Sequence, residues 1–320
     1  ICILGESGTG KTTLLRLIKW FVSRDRSINE KLQLPMDPES EIEMVFQLSH
    51  FDFRLVNKGG ELVFQSVSPG ENETDYERYI KEISPLLINF PADLVNVTAD
   101  ETGGKAGETA GDKPEQVQIV DFSFDDIKQT WDFILRDIKE HRAKELAVAA
   151  RILEAQKRGA SMPEIQKLEA EFKKWLSQNP SPLENLADRF LNPILRRLGL
   201  KVKTDFSYES IIDLTFIELQ SMTGEAVQRD LWSTGTRQQV LTMLPLYQLK
   251  PENAVILIDE PERSLYPDIQ TRIADDYVKT APGCQFFFAT HSPFVTASFE
   301  PWEIVDLKFD RDKTYSRREL

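Results

Sequence analysis

Long apolar runs are missing from this sequence: no stretch approaches the roughly 20 consecutive apolar residues that a bilayer-crossing helix needs. No membrane partner is therefore expected. The charged n-region and apolar h-region of a secretory signal are absent as well. Residue 1 is Ile rather than Met, and the chain opens inside an apolar, strand-like run, so upstream sequence is expected to be missing. Cysteine is scarce. Cys2 and Cys284 both lie in apolar runs, and a disulfide framework or zinc site needs more thiols at closer spacing. Two buried, reduced thiols in a cytoplasmic protein are the expectation. Positive charge is in deficit, with 39 Lys and Arg against 52 Asp and Glu for a net charge of -13. That argues against nucleic acid wrapping the whole surface. It leaves DNA as a partner for a local basic patch or a groove formed on dimerisation. No internal repeat is visible.

What is present is an ordinary globular composition, 41% hydrophobic and 28% charged. Ile1 to Leu4 form an apolar run, followed by a Gly-rich turn and a helical pattern from Thr13 to Val22. Between residues 42 and 68 the period changes to alternation, with a turn at Lys58-Gly59-Gly60, which predicts an antiparallel β meander. Residues 76 to 88 read as a helix and 99 to 115 as a mobile loop.

A charged helical block follows, with Ile127, Trp131, Ile134, Leu135 and Ile138 at helical spacing. Arg158 to Pro163 interrupts it, and Ile165, Leu168, Phe172 and Trp175 resume it. Two readings stand: a hairpin packed on its own core, or a short antiparallel coiled coil serving as an interaction arm. Its tip carries no Cys-x-x-Cys hook. Asn179-Pro180-Ser181-Pro182 ends the block, and a helix is expected from Leu183 to Leu198. From Leu200 onward, strands and helices are expected to alternate as in a parallel sheet.

Four segments carry chemistry. Gly5-Glu6-Ser7-Gly8-Thr9-Gly10-Lys11-Thr12 matches the phosphate-loop pattern, with a strand before it and a helix, beginning at Thr13, after it. Its glycines let backbone N–H groups turn inward around a phosphate, Lys11 supplies a point charge, and Thr12 offers a hydroxyl to Mg²⁺. Ala254 to Ile258 read as a doubly buried strand ending in Asp259-Glu260. An acidic turn is commonplace alone, but beside a phosphate loop Asp259 becomes a metal-side acid and Glu260 a base for the attacking water. Phe286-Phe287-Phe288-Ala289-Thr290-His291 is a second such strand, and a neutral imidazole at its end could orient that water. Finally, Ser233-Thr234-Gly235 opens a helix, and helix N-termini favour anions.

The order of these segments resembles the ABC ATPases, in particular their SMC, RecF and OLD-like branch. The likeness rests on Ser233-Thr234-Gly235-Thr236-Arg237-Gln238, on Asp259-Glu260-Pro261-Glu262 with Leu265 and Pro267, and on Thr290-His291-Ser292-Pro293. It covers roughly residues 1 to 68 and 200 to 310. The fold it implies is α/β, a P-loop NTPase of the ABC ATPase type with a β meander and a helical insertion. Residues 1–124 would form the N-terminal part of the ATPase domain, 125–199 the insertion, and 200–320 the C-terminal part. The resemblance further implies two ATP and Mg²⁺ sandwiched between head-to-tail copies, Lys11 of one facing Ser233 and Gly235 of the other. Asp259 then sits on the metal side with Thr12, Glu260 is the general base, and His291 is the switch histidine. Glu262 and Ser264 fall in the segment that contacts the opposite subunit. The glutamine that links the γ-phosphate to the arm stays unassigned among Gln47, Gln65 and the stretch from Asn89 to Asp93.

OLD-like enzymes often carry a nuclease domain, whereas little sequence follows Pro293 here. An effector such as a nuclease in trans is the implied partner, and phage defence or DNA maintenance the implied setting. Two other classes remain: a transporter nucleotide-binding subunit, and a scaffold with structural ATP.

Overall fold

The computed structural model describes residues 1–23, 43–48, 51–58, 61–66, 86–92, 118–121, 124–206, 211, 213–309 and 316–319. β1 (Cys2–Gly5) leads into α1 (Lys11–Ser23). β2 (Glu43–Leu48), β3 (Phe51–Lys58) and β4 (Glu61–Ser66) pair antiparallel in a separate sheet, the meander that alternation predicts. β5 (Leu86–Phe90) and β6 (Gln118–Asp121) come next. Part of the helix expected over 76 to 88 lies outside the described residues, and its end is not helical. Leu86-Leu87-Ile88 is instead part of a strand beside the acidic one, with Leu87 and Ile88 buried. The loop read over 99 to 115 also lies outside the described residues.

α2 (Phe124–Lys157) and α3 (Met162–Gln178) form the charged block. Its first half belongs to the core: Ile127, Trp131, Ile134 and Ile138 are all buried, and the Trp131 indole N–H donates to the Thr215 carbonyl at 2.8 Å. The second half leaves the core and pairs with α3. His141 lies 5.1 Å from the Trp175 ring and its Nε2 is 2.8 Å from the Asn179 carbonyl oxygen, which fixes the pair as antiparallel. α3 buries no residue completely. The single block in the sequence thus has an anchored base and a projecting hairpin.

The helix expected from Leu183 to Leu198 is present but not uniform. α4 (Pro182–Leu186) runs through a π-helical turn (Ala187–Leu191) into α5 (Asn192–Leu195) and a 3₁₀ turn (Arg196–Leu198). Asn192 is buried here, accepting from the Val202 N–H at 2.8 Å, which ties the turn to the next strand. That strand corrects a second expectation. β7 (Leu200–Val202), β8 (Leu219–Ser221) and β9 (Ala226–Val227) form a small antiparallel sheet, and α/β alternation begins only after it.

From there α6 (Thr234–Leu249), β10 (Val255–Asp259), α7 (Pro267–Thr280), β11 (Gln285–Thr290), α8 (Pro293–Thr296), β12 (Ile304–Phe309) and β13 (Ser316–Glu319) follow. The main sheet has the order β13-β12-β1-β11-β10-β5-β6, parallel except for β13 at its edge. β10 is buried at all five positions, so it is apolar throughout rather than alternating. Register does the positioning. Leu4 is level with Thr290, and Asp259 with Ala289, so β1, β10 and β11 end together at one edge of the sheet.

Candidate functional site

At that edge the chain leaves β1 into the phosphate loop. Gly8 and Gly10 have φ of 82° and 94°, the left-handed region that residues with a Cβ avoid. Gly5 is small for another reason: a Cβ there would lie 2.5 Å from Thr9 Oγ1 and 2.7 Å from the Leu307 carbonyl oxygen. The Thr9 hydroxyl donates to the Glu6 carbonyl at 2.8 Å, drawing the loop closed, while Glu6, Ser7 and Gly8 remain exposed. Thr13, half-buried, continues α1. The first N–H groups of α1 have no partner within the helix, and such groups at a helix start favour an anion.

Lys11 is buried, and its Nζ donates to the Gly5 and Glu6 carbonyls, both at 2.9 Å, and to His291 Nδ1 at 3.0 Å. An ammonium only donates, so Nδ1 accepts and the ring proton is assigned to Nε2. That nitrogen lies 2.8 Å from Glu260 Oε1 and donates to it. The Gly5 carbonyl, 3.2 Å from Nδ1, is then a packing neighbour. A continuous line of contacts therefore runs from Lys11 through His291 to Glu260.

Glu260 itself has φ of 48°, and its N–H donates to the Ala289 carbonyl at 2.8 Å. This left-handed kink separates its side chain from that of its neighbour. Asp259 points to the helix instead: the Thr12 hydroxyl donates to its Oδ2 at 2.7 Å, while Oδ1 is buried without any partner. Burial pushes the Asp259 carboxyl above its ordinary range, opposed by the Thr12 bond and reinforced by Glu260. Burial likewise lowers Lys11, opposed by the carboxylates of Asp259, Glu260 and Glu262.

An orphaned carboxylate oxygen beside a threonine hydroxyl at a helix start is a donor set suited to a hard divalent cation. Mg²⁺ fits here, with Thr12 and Asp259 as the residues that would hold it. Bound, it would supply charge neutralisation for phosphate oxygens.

Ser233 and Gly235 stand apart. Ser233 is the exposed N-cap of α6, its Oγ accepting from the Thr236 N–H at 3.0 Å. Gly235 is buried against its own chain: a Cβ would meet the Ser264 carbonyl oxygen at 2.5 Å and Leu265 Cδ2 at 2.8 Å. Among the described residues, no hydrogen bond or ion pair joins either to the phosphate loop. Ser264 is exposed with φ of 59°, whereas Glu262 is turned inward. It is 7% exposed, and its Oε1 accepts from Thr290 Oγ1 at 2.6 Å and from the His291 N–H at 2.9 Å. No local signal singles it out, because its neighbours Arg263 and Ser264 are charged and polar as well. Gln47 and Gln65 lie on β2 and β4, Asn89 on β5, and Asp93 outside the described residues.

Residues 1–297 match the family described as "AAA domain, putative AbiEii toxin, Type IV TA system". The chain belongs to this family. It is thereby a P-loop ATPase by descent, which accounts for the loop and acidic strand just described. No curated protein matches the chain. Among solved structures, the family member is similar to an Smc head bound to the C-terminal winged-helix domain of ScpA. Identity is 12%, coverage 99% of this chain and 88% of that one, and the TM-score 0.47. It is also similar to an Smc head with an extended coiled coil from Pyrococcus furiosus, bound to the C-terminal domain of ScpA. There identity is 14%, coverage 99% and 89%, and the TM-score 0.45. For an SMC head domain from Thermotoga maritima the figures are 11%, 100% and 89%, and 0.45. No helix among the described residues is long and apolar enough to cross a membrane.

Proposed function

We propose that this AAA-family chain binds and hydrolyses ATP with Mg²⁺ as an ABC-type switch, working as a head-to-tail dimer. The observation that carries the reading is the convergence of Lys11, Thr12, Asp259, Glu260 and His291 at one sheet edge, with Ser233 exposed elsewhere at the start of a 16-residue helix. In this proposal Lys11 exchanges its contacts with the Gly5 and Glu6 carbonyls and His291 for phosphate oxygens. Glu260, released from His291, polarises water, and His291 orients that water or the phosphate. The backbone N–H groups of residues 5 to 13 hold the phosphates. Ser233 and Gly235 act in trans on the nucleotide of a second copy, completing a site that one chain leaves open.

The output lies in a partner. The family's description names a toxin–antitoxin system. We take the projecting α2–α3 hairpin as the surface through which closure is read, by an effector such as a nuclease acting in phage defence or DNA maintenance. The test is the mass of Glu260→Gln in MgATP. A stable dimer at micromolar concentration is expected, with turnover reduced at least about 100-fold. A species that stays monomeric would overturn the sandwich.

A further inference from the structure

We infer that Glu262 is a positioning residue for His291, acting within its own subunit rather than across the dimer. This rests on the reading of His291 above. The turn after β11 must hold an imidazole between two groups of opposite charge, Lys11 at 3.0 Å from one nitrogen and Glu260 at 2.8 Å from the other. Either neighbour alone would draw the ring toward itself, so the backbone beneath the ring has to be fixed independently of both. One oxygen of Glu262 does this. It takes the His291 N–H at 2.9 Å and the Thr290 hydroxyl at 2.6 Å, and that hydroxyl in turn accepts from the Ser292 N–H at 2.9 Å. Three consecutive residues of the turn are thus tied to one carboxylate oxygen, directly or through one hydroxyl.

The other oxygen, Oε2, is buried with no partner. A buried carboxylate with half its acceptor capacity unused is costly, and a surface-facing rotamer would avoid the cost. Its retention inside is what a functional constraint on the turn looks like. The loop that carries Glu262 is itself braced from below: Gln239 Nε2 donates to the Pro261 carbonyl at 3.2 Å, and the Tyr277 hydroxyl donates to Gln239 Oε1 at 3.2 Å. Both bonds are buried, so the carboxylate is delivered from a rigid base. Ser264, two residues on, is exposed and remains free to face a second subunit.

The test uses Glu262→Met, which keeps the volume and removes the acceptor, and Glu262→Gln, whose amide oxygen still accepts. Three readouts are taken: kcat, KM for MgATP, and the ring cross-peaks of His291 in a heteronuclear NMR spectrum. Glu262→Met is expected to lower kcat about 10- to 100-fold with KM within about 3-fold, and to move the His291 cross-peaks. Glu262→Gln is expected to restore kcat and cross-peaks to near wild type. Unmoved His291 cross-peaks in Glu262→Met, or Glu262→Gln as impaired as Glu262→Met, would overturn the assignment. Should Glu262→Met fail to fold, Thr290→Val removes one of the two donors; it is expected to shift the His291 cross-peaks, and unmoved cross-peaks overturn the assignment equally. The NMR readout needs no turnover, so a wild-type chain without ATPase activity would defeat the proposed function while leaving this inference standing or falling on its own.

Discussion

Lys11 and Asp259 are both buried ionisable groups, and under the proposed function a nucleotide and its cation would replace their present partners. Each is shifted toward its neutral form by that burial. The same burial acts on a group without a catalytic role. Cys2, in the strand just before the phosphate loop, is fully buried, and desolvation pushes its thiol up from 9.0 to about 11, only partly offset by its contact with Thr296. The native state then keeps a proton that the unfolded chain releases. Stability from this group is intact below pH 9.0 and declines as pH rises toward about 11. The loss amounts to about 2–3 kcal/mol. Urea unfolding of wild type and Cys2→Ala across that window should show the steeper fall in wild type. Parallel slopes would mean that Cys2 does not titrate between the two states.

At the scale of elements, α6 and the loop from Pro261 to Leu265 behave as one unit, because Gly235 lets the helix start press on the Ser264 carbonyl. Replacing a helical Gly by Ala ordinarily gains up to about 1 kcal/mol. Here the new Cβ would lie 2.5 Å from a backbone oxygen that cannot swing away, and the sign reverses. Gly235→Ala is expected to destabilise by about 1–3 kcal/mol, seen as a lower urea midpoint at unchanged slope. A raised midpoint would refute the clasp. Such an interlock cannot be read in sequence, where Gly235 shows only as part of a helix start. The phosphate loop and the acidic strand were legible because their spacing and apolar flanks are local. β5 was not: Leu86-Leu87-Ile88 is a short apolar run with no period of its own, and its pairing with β10 and β6 makes it a strand. The small sheet of β7, β8 and β9 was missed for the same reason, since its strands span only two or three residues and owe their existence to each other. Nothing local sets Glu262 apart, because charge in a turn usually faces solvent. Its inward direction follows from where β11 ends, a fact of tertiary register.

For the whole molecule the central question is whether Lys11 and Ser233 serve the same nucleotide or two. Within one chain they are unconnected: Lys11 is held by Gly5, Glu6 and His291, and Ser233 by its own helix. In a head-to-tail dimer each composite site takes Lys11 from one chain and Ser233 from the other, a symmetric arrangement that closes on itself. Lys11→Ala and Ser233→Arg should then each abolish turnover alone. Mixed in equal amounts, half of the dimers are heterodimers if exchange is random. In each heterodimer one site carries both lesions and the other carries neither. About a quarter of wild-type turnover per chain should therefore return on mixing, given that each intact site works independently. If a chain instead used its own Lys11 and Ser233 together, or either residue were merely structural, mixing would restore nothing. The readout is steady-state phosphate release before and after mixing, and its rise should follow the time course of subunit exchange.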